Sequence, residues 1–276
     1  MALTKVLITV KTYPAISGKY DELVCTAGFR EDGTWIRIYP VSFRKKSYSE
    51  QYRKYDWIEL DLVKNHKDFR PESFRPHAHD SEITIIDHLD TSKNWAARKA
   101  IALGKIYCNL TELISEAHDK AIRTSLAVFK PALVKDFKIE AVSREWKKAK
   151  LEKLQQMNLF QTADDGKFEV VRKLPYKFSY VIVDNQGKES TMMIEDWEIG
   201  QLYWNCLARH EGNEAKACTD VKTKYLDDFA RTKDLHLFLG TSQQHHHVSN
   251  NPFMIIGTFH PKMEAPKPID PQMKLF

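Results

Sequence analysis

Short β-branched runs and strict alternation dominate the first third of the chain. Residues 5–11 (KVLITVK) are rich in Val, Ile and Thr, the composition of a strand. Residues 22–30 and 35–39 form two more such runs, separated by EDGT, whose Asp-Gly pair signals a hairpin. At 56–63 (DWIELDLV) apolar and acidic residues alternate, as on a half-buried strand. Helical patterns follow. TSKNWAARKAIALG (91–104) opens on a Thr-Ser cap and closes on Gly, and NLTELISEAHDKA (109–121) has a similar form. Strand-like runs return at 126–129, 137–142 and 178–183. Residues 194–210 and 213–233 then read as helices, and 235–240 and 252–261 as strands flanking the polar loop TSQQHHHVSNN. Strands at both ends with helices between predict an α+β fold around a mixed or antiparallel barrel-like core.

Residues 143–165 are highly charged, then polar, and end in ADDG. They read as an exposed helix and loop connecting a β-rich N-terminal region (1–142) to a C-terminal α+β region (166–263) packed on it. The tail, 264–276, holds three prolines in EAPKPIDP and then QMKLF, an extended segment ending on two large apolar residues. A near copy, QMNLF, occurs at 156–160.

Composition supports a packed core: 42% of residues are hydrophobic and six are tryptophan. The charge balance is mildly positive, 42 basic against 37 acidic residues, which permits a nucleic-acid partner without requiring one. Cys25, Cys108, Cys206 and Cys218 lie far apart with no CxxC pair, against a disulfide framework or zinc ribbon. The N-terminus lacks the apolar core of a signal peptide, and no apolar run approaches the ~20 residues of a membrane helix. The expectation is a cytoplasmic protein with no membrane partner.

The candidate chemistry lies near the amino end. WIRIYPVSFRKK places Trp35, Arg37 and Tyr39 on one strand face and Ile36 and Ile38 on the other. The Ile pair would serve the core; the other face would offer two rings with a guanidinium between them. From 41 to 75 there are nine Lys or Arg against six Asp or Glu, interleaved with aromatic residues. Aromatic stacking at about 1–3 kcal/mol per base, with cations along the backbone, is how unpaired bases are held. The alternative is that Trp35 and Tyr39 belong to the core and Arg37 pairs with Glu59 or Asp61. DFRPESFRPHAHD repeats F-R-P, and proline keeps each arginine in an extended stretch. Arg70 and Arg75 are either presented to an anion or clamp acids of their own chain. The nucleic-acid-binding set is therefore Trp35, Arg37, Tyr39, Arg44, Arg70 and Arg75.

Signals for catalysis are sparse. His77, His79 and Asp80, and His245 to His247, offer metal-ligand atoms but no spacing that forces convergence, and the three consecutive histidines read as solvent-facing. No metal site is expected. There is no GxSxG, P-loop or GxGxxG, so no cofactor is implied. Glu195, Asp196 and Glu198 in MIEDWEIG read as a helix start, where the dipole favours acids. Glu59 and Asp61 lack the D/E-x-K spacing of the common restriction-nuclease core. Nothing demands an enzyme; the rival reading is a nuclease or base-processing hydrolase acting in the same cleft.

Three stretches, ELVCTAGFREDGTWIRIYPVSFR, MIEDWEIGQLYWNC and DLHLFLGT with FMIIGTFHP, together resemble an uncharacterised bacterial family over most of the chain. More loosely, the strand-rich ends are similar to the PUA, ASCH and EVE superfamily of small barrels, whose members bind RNA or modified bases in DNA; the GxKxxExR signature of ASCH domains is absent. This resemblance implies a PUA-like barrel and a DNA or RNA partner, in DNA maintenance or phage defence. QMKLF resembles the pentapeptide, roughly Gln-Leu-Ser/Asp-Leu-Phe, by which bacterial polymerases and repair proteins dock on the DNA sliding clamp. Gln272, Leu275 and Phe276 fall on its defining positions, Met273 replaces a leucine, and Lys274 departs from the usual small or acidic residue. That resemblance implies the sliding clamp as a partner.

Overall fold

The computed structural model describes residues 3–17, 21–78, 80–149, 151–152 and 170–264. Five strands close into a barrel: β1 (Leu3–Lys11), β3 (Asp21–Phe29), β4 (Trp35–Val41), β6 (Ser73–Pro76) and β5 (Asp56–Lys64), which returns to β1. Pairing is antiparallel except between β4 and β6, where Arg37 faces Ser73 and Ile38 faces Phe74 in parallel register. β2 (Ala15–Ser17) lengthens the sheet beside β3, and β7 (Thr84–His88) pairs with the start of β5. The α+β class and the barrel-like core read from the pattern are both present.

The β1 run is apolar on both faces because both are covered. Val6 and Ile8 point into the barrel with Val24, Ile36, Ile38, Ile58 and Leu60. Leu7 and Val10 point outward, onto residues of a second sheet. At the β1–β3 crossing the backbones leave no room for a side chain: a Cβ on Gly28 would lie 1.9 Å from the Leu7 carbonyl oxygen.

That second sheet is β8 (Ile106–Tyr107), β9 (Leu126–Phe129), β13 (His236–Thr241) and β14 (Phe253–Phe259), in the order β14-β13-β9-β8. A third, antiparallel sheet holds β10 (Leu133–Ala141), β11 (Tyr176–Val183) and β12 (Glu189–Met193). The helices that pack on these sheets include α1 (Ser92–Ala102), α2 (Leu110–His118), α3 (Trp197–Arg209) and α4 (Glu214–Lys222), and α4 runs on as a π-helix over Thr223–Ala230. Asn109 caps α2 by accepting from Thr111 and Glu112, and its apolar stripe of Leu110, Leu113 and Ala117 joins the C-terminal core.

The segment 194–196 knits these layers together. Ile194 bridges Ile255, Tyr13 donates its backbone N–H to Glu195, and Thr12 bridges Asp196. Asp196 is thereby fixed at full burial between the end of β1 and the start of α3, whose Glu198 N–H it also caps. No helix of the described residues is long and apolar enough to cross a membrane. The peptides at 156–160 and 272–276, with Gln272, Met273, Leu275 and Phe276, lie outside the described residues.

Candidate functional site

The β4 alternation sends Ile36 and Ile38 into the barrel, but the opposite face is covered by the second sheet. Trp35 is half-buried, its ring 4.0 Å from Phe29 and 5.6 Å from Phe238. Arg37 is 2% exposed. Its Nη1 donates to Ser125 Oγ at 2.7 Å and Nη2 to the Ser125 carbonyl at 3.1 Å, with a Glu72 carboxylate oxygen 3.9 Å away. Burial lowers the Arg37 pKa. The expected open face of ring, guanidinium and ring is therefore corrected: a packed sheet lies over it, and Glu72 rather than Glu59 or Asp61 is the acid beside Arg37.

Arg70 is also buried. Its Nε and Nη2 donate to the Asp68 carboxylate at 2.8 and 2.5 Å, and Nη1 donates to the Thr241 carbonyl. Burial alone would raise the Asp68 carboxyl, but Arg70 outweighs it and holds it below the usual range. Of the two F-R-P arginines, then, Arg70 clamps its own chain and Arg75 faces water.

Tyr39 and Arg75 are the two predicted residues the fold brings together. They line a groove of about 470 Å³ at the rim of the barrel, with Lys46, Lys64, His66, Lys67 and His77. No carboxylate is among its described lining residues. Arg75 donates to the carbonyls of Pro76 and His77 at 3.1 Å, and Lys64 donates to those of Arg70 and Pro71, so neither charge is neutralised by these contacts. Lys46 is 3.2 Å from Glu50, and His77 is 2.9 Å from Asp61 behind the groove. Arg44 lies elsewhere, in a smaller depression with Tyr13, Trp197 and Trp204.

A larger cavity of about 610 Å³ opens between the barrel and the C-terminal half. Its wall is aromatic: Tyr55, Trp95, Trp197, Tyr225 and Phe229. Tyr55 and Trp95 hold φ of 69° and 64°, left-handed conformations that cost bulky residues energy and gather at functional sites. Against both rings lies Arg98, 6% exposed, its Cζ 3.7 Å from the Tyr55 centroid and 4.9 Å from Trp95. Its Nε and Nη2 donate to the Leu89 carbonyl at 2.8 and 2.6 Å. Lys11 reaches in from the end of β1, its Nζ 4.2 Å from the Phe43 centroid and 4.9 Å from Trp197, donating to the Tyr52 carbonyl. Neither cation has an ion pair among the described residues.

At the polar floor of this cavity Lys54 joins half-exposed Glu198 to Asp196, which is buried behind the lining. Lys54 Nζ lies 2.7 Å from both Asp196 oxygens and 2.9 Å from Glu198 Oε2. Burial opposes ionisation of both acids. It prevails at Asp196, raising the pKa to about 6 against the pull of Lys54, whereas at Glu198 Lys54 prevails and holds the carboxyl below its usual range. His260 stacks on Phe229 at 3.6 Å, is kept neutral by burial with a pKa near 4, and leaves Nδ1 without a partner. Thr258, 2% exposed, leaves its hydroxyl unpartnered on the same wall.

Comparison with known proteins places the chain. Residues 106–276, more than half of it, match the family model described as Domain of unknown function (DUF8757). The chain belongs to the DUF8757 family. Residues 2–104 of this DUF8757 chain match a second model, Domain of unknown function (DUF8758). No curated protein matches the sequence. A solved structure titled "Structure of murine DNA binding protein bound with ds DNA" is similar at a TM-score of 0.33 and 10% identity, covering 98% of this chain and 100% of that one. A TM-score this low leaves fold and function to be argued from the residues.

In the DUF8757 chain the cavity draws on β1, the turn before β5, β7, α1, α3, the π-helix and β14, so no local motif announces it. The one available signal was MIEDWEIG: Asp196 does cap α3, as an acid at a helix start should, but it also receives Lys54 from the barrel. The histidine loop departs from its solvent-facing reading at one position, since His246 is fully buried with Nδ1 2.7 Å from Thr241 Oγ1. His79 lies outside the described residues, and among these no group of three or more His, Cys, Asp and Glu side chains could hold a metal ion.

Proposed function

We propose that this protein binds nucleic acid, with the sugar-phosphate backbone lying in the groove of Lys46, Lys64, Lys67 and Arg75 and a base against Tyr39. The observation that carries the reading is a concave surface with four cationic side chains, of which Lys46 is paired with Glu50 behind it, and no acidic one among its described residues. Such a surface neutralises phosphates and releases their counterions, and a ring at its edge supplies a stacking platform. The experiment is a salt titration of binding to single- and double-stranded DNA and RNA. The logarithm of affinity should fall against the logarithm of salt with a slope of about −0.7 per phosphate contact on single strands. Lys67→Glu with Arg75→Glu should flatten that slope. Undetectable binding at low salt to every strand tested would remove the reading.

One observation favours a second reading, a hydrolase acting on a base in the larger cavity. Glu198 lines the cavity half-exposed and Lys54 holds it towards ionisation, as a general base requires, with Asp196 buried behind it. Release of free base or strand breaks from labelled oligonucleotides, abolished by Glu198→Gln, would support it; intact substrate after long incubation would exclude it. The tail resemblance adds a role in DNA maintenance or defence with recruitment to the sliding clamp. Its support is the pattern of Gln272, Met273, Leu275 and Phe276 behind a proline-rich segment, suited to an extended peptide entering a pocket. Removing 272–276 should abolish clamp capture without lowering the melting temperature; unchanged capture would dismiss it.

A further inference from the structure

The geometry points to a second ligand site: the larger cavity takes a single nucleotide, its phosphate at Arg98 and Lys11 and its base against the aromatic wall. The two cations are the first reason. Arg98 and Lys11 are nearly buried and have no ion pair among the described residues; carbonyls and rings hold them, with His88 Nε2 3.4 Å from Arg98 Nη2, an arrangement that an anion would complete. Arg98 spends Nε and Nη2 on one carbonyl, which leaves Nη1 without a hydrogen bond among the described residues.

The wall supplies the second reason. Planar rings stack on Trp, Tyr and Phe whatever the base, and the volume lies in the range of small-molecule sites. A simple polyanion would not account for the third feature, an acidic and neutral polar edge in an otherwise cationic space. Glu198, half-exposed, accepts hydrogen bonds only; His260 Nδ1 and the Thr258 hydroxyl have none. The ligand must therefore carry an anion, a flat ring and polar hydrogens together. A nucleotide whose base bears an exocyclic amine has all three. It arrives either free or unstacked from a strand held in the groove, since extrusion exposes the same base edge.

Calorimetry with the four common nucleoside monophosphates tests the free source. Fluorescence of a single-stranded oligonucleotide carrying one 2-aminopurine tests the strand source, because entry into the wall changes its stacking. We expect Arg98→Gln to weaken the cavity signal at least tenfold. Glu198→Gln should change the order of preference among bases at a temperature where melting shows the variant folded, which separates recognition from folding. Lys67→Glu with Arg75→Glu should spare free-nucleotide binding. If monophosphates do not bind and the 2-aminopurine signal ignores both cavity variants while the strand still binds, the cavity proposal falls alone. Monophosphate binding without strand binding would instead overturn the groove reading and keep this one. Silence in both arms would remove both.

Discussion

Lys54 donates to both carboxylate oxygens of Asp196, at 2.7 Å each, across 142 residues of chain. The barrel is thereby pinned to the start of α3 by an ion pair whose side chains are 5% and 0% exposed. Removing one partner from such a pair strands a buried charge. Lys54→Met or Asp196→Leu alone should therefore cost roughly 3–5 kcal/mol, and the double variant should recover much of it. Urea unfolding of all three would measure this. A single-variant loss under about 1 kcal/mol would show that water reaches the triad freely.

Lys11 makes stability and ligand affinity run in opposite directions with pH. Burial, reinforced by Lys54, lowers its pKa to about 8, while Glu198, Asp196 and Asp56 pull the other way; its ordinary value is 10.5. Between those values the unfolded chain holds the extra proton, so stability rises with pH across the window and this contribution is flat below it. Relative to Lys11→Met, the wild type should gain roughly 2–3 kcal/mol from pH 8 to pH 10. Affinity of the cavity for an anion should fall over the same interval, as the ammonium loses its proton. Unfolding curves that stay parallel for the two proteins would mean Lys11 remains charged throughout.

The parts of this fold legible in the sequence are those where local pattern and tertiary environment agree. The EDGT hairpin was readable because Gly33 takes φ of 78° at the turn between β3 and β4. β1 was readable because β-branched residues fill both covered faces. β6, four residues ending in proline, and β7, exposed at every position, carry no periodicity; their pairing is set by the closure of the barrel. The same limit hid the site. Alternation along β4 says that Arg37 and Ile36 face opposite ways, but not that a sheet from 126–259 will cover the arginine. Lys11, Lys54, Arg98, Glu198 and His260 meet only because the C-terminal half packs on the barrel.

Arg37 and Arg75 should part company in experiment although both were singled out by the same sequence argument. Arg37→Met removes a buried guanidinium from Ser125, Thr241 and Glu72, which should cost about 3 kcal/mol or more. At a temperature where the variant is folded, its strand affinity and salt slope should match the wild type. Arg75→Gln should do the reverse, leaving the melting temperature within about 1 °C and lowering the slope by one phosphate contact. Equal effects of both substitutions on the salt slope would mean that Arg37 reaches the nucleic acid after all.

Thr258 offers a test in which a loss of polarity should stabilise the protein and weaken the site. Its hydroxyl is buried without a partner, and an unmet donor and acceptor of this kind costs about 1–3 kcal/mol. Valine keeps the branched shape in β14 and removes that cost, so Thr258→Val should raise stability by about 1 kcal/mol in the ligand-free protein. The same hydroxyl is one of the polar groups on the cavity wall, so nucleoside monophosphate affinity should drop several-fold in the variant. Calorimetry and thermal melting on one preparation read both quantities. A variant that melts lower than the wild type would show that the hydroxyl is satisfied in solution, and with it the case for a ligand at that edge of the cavity would be lost.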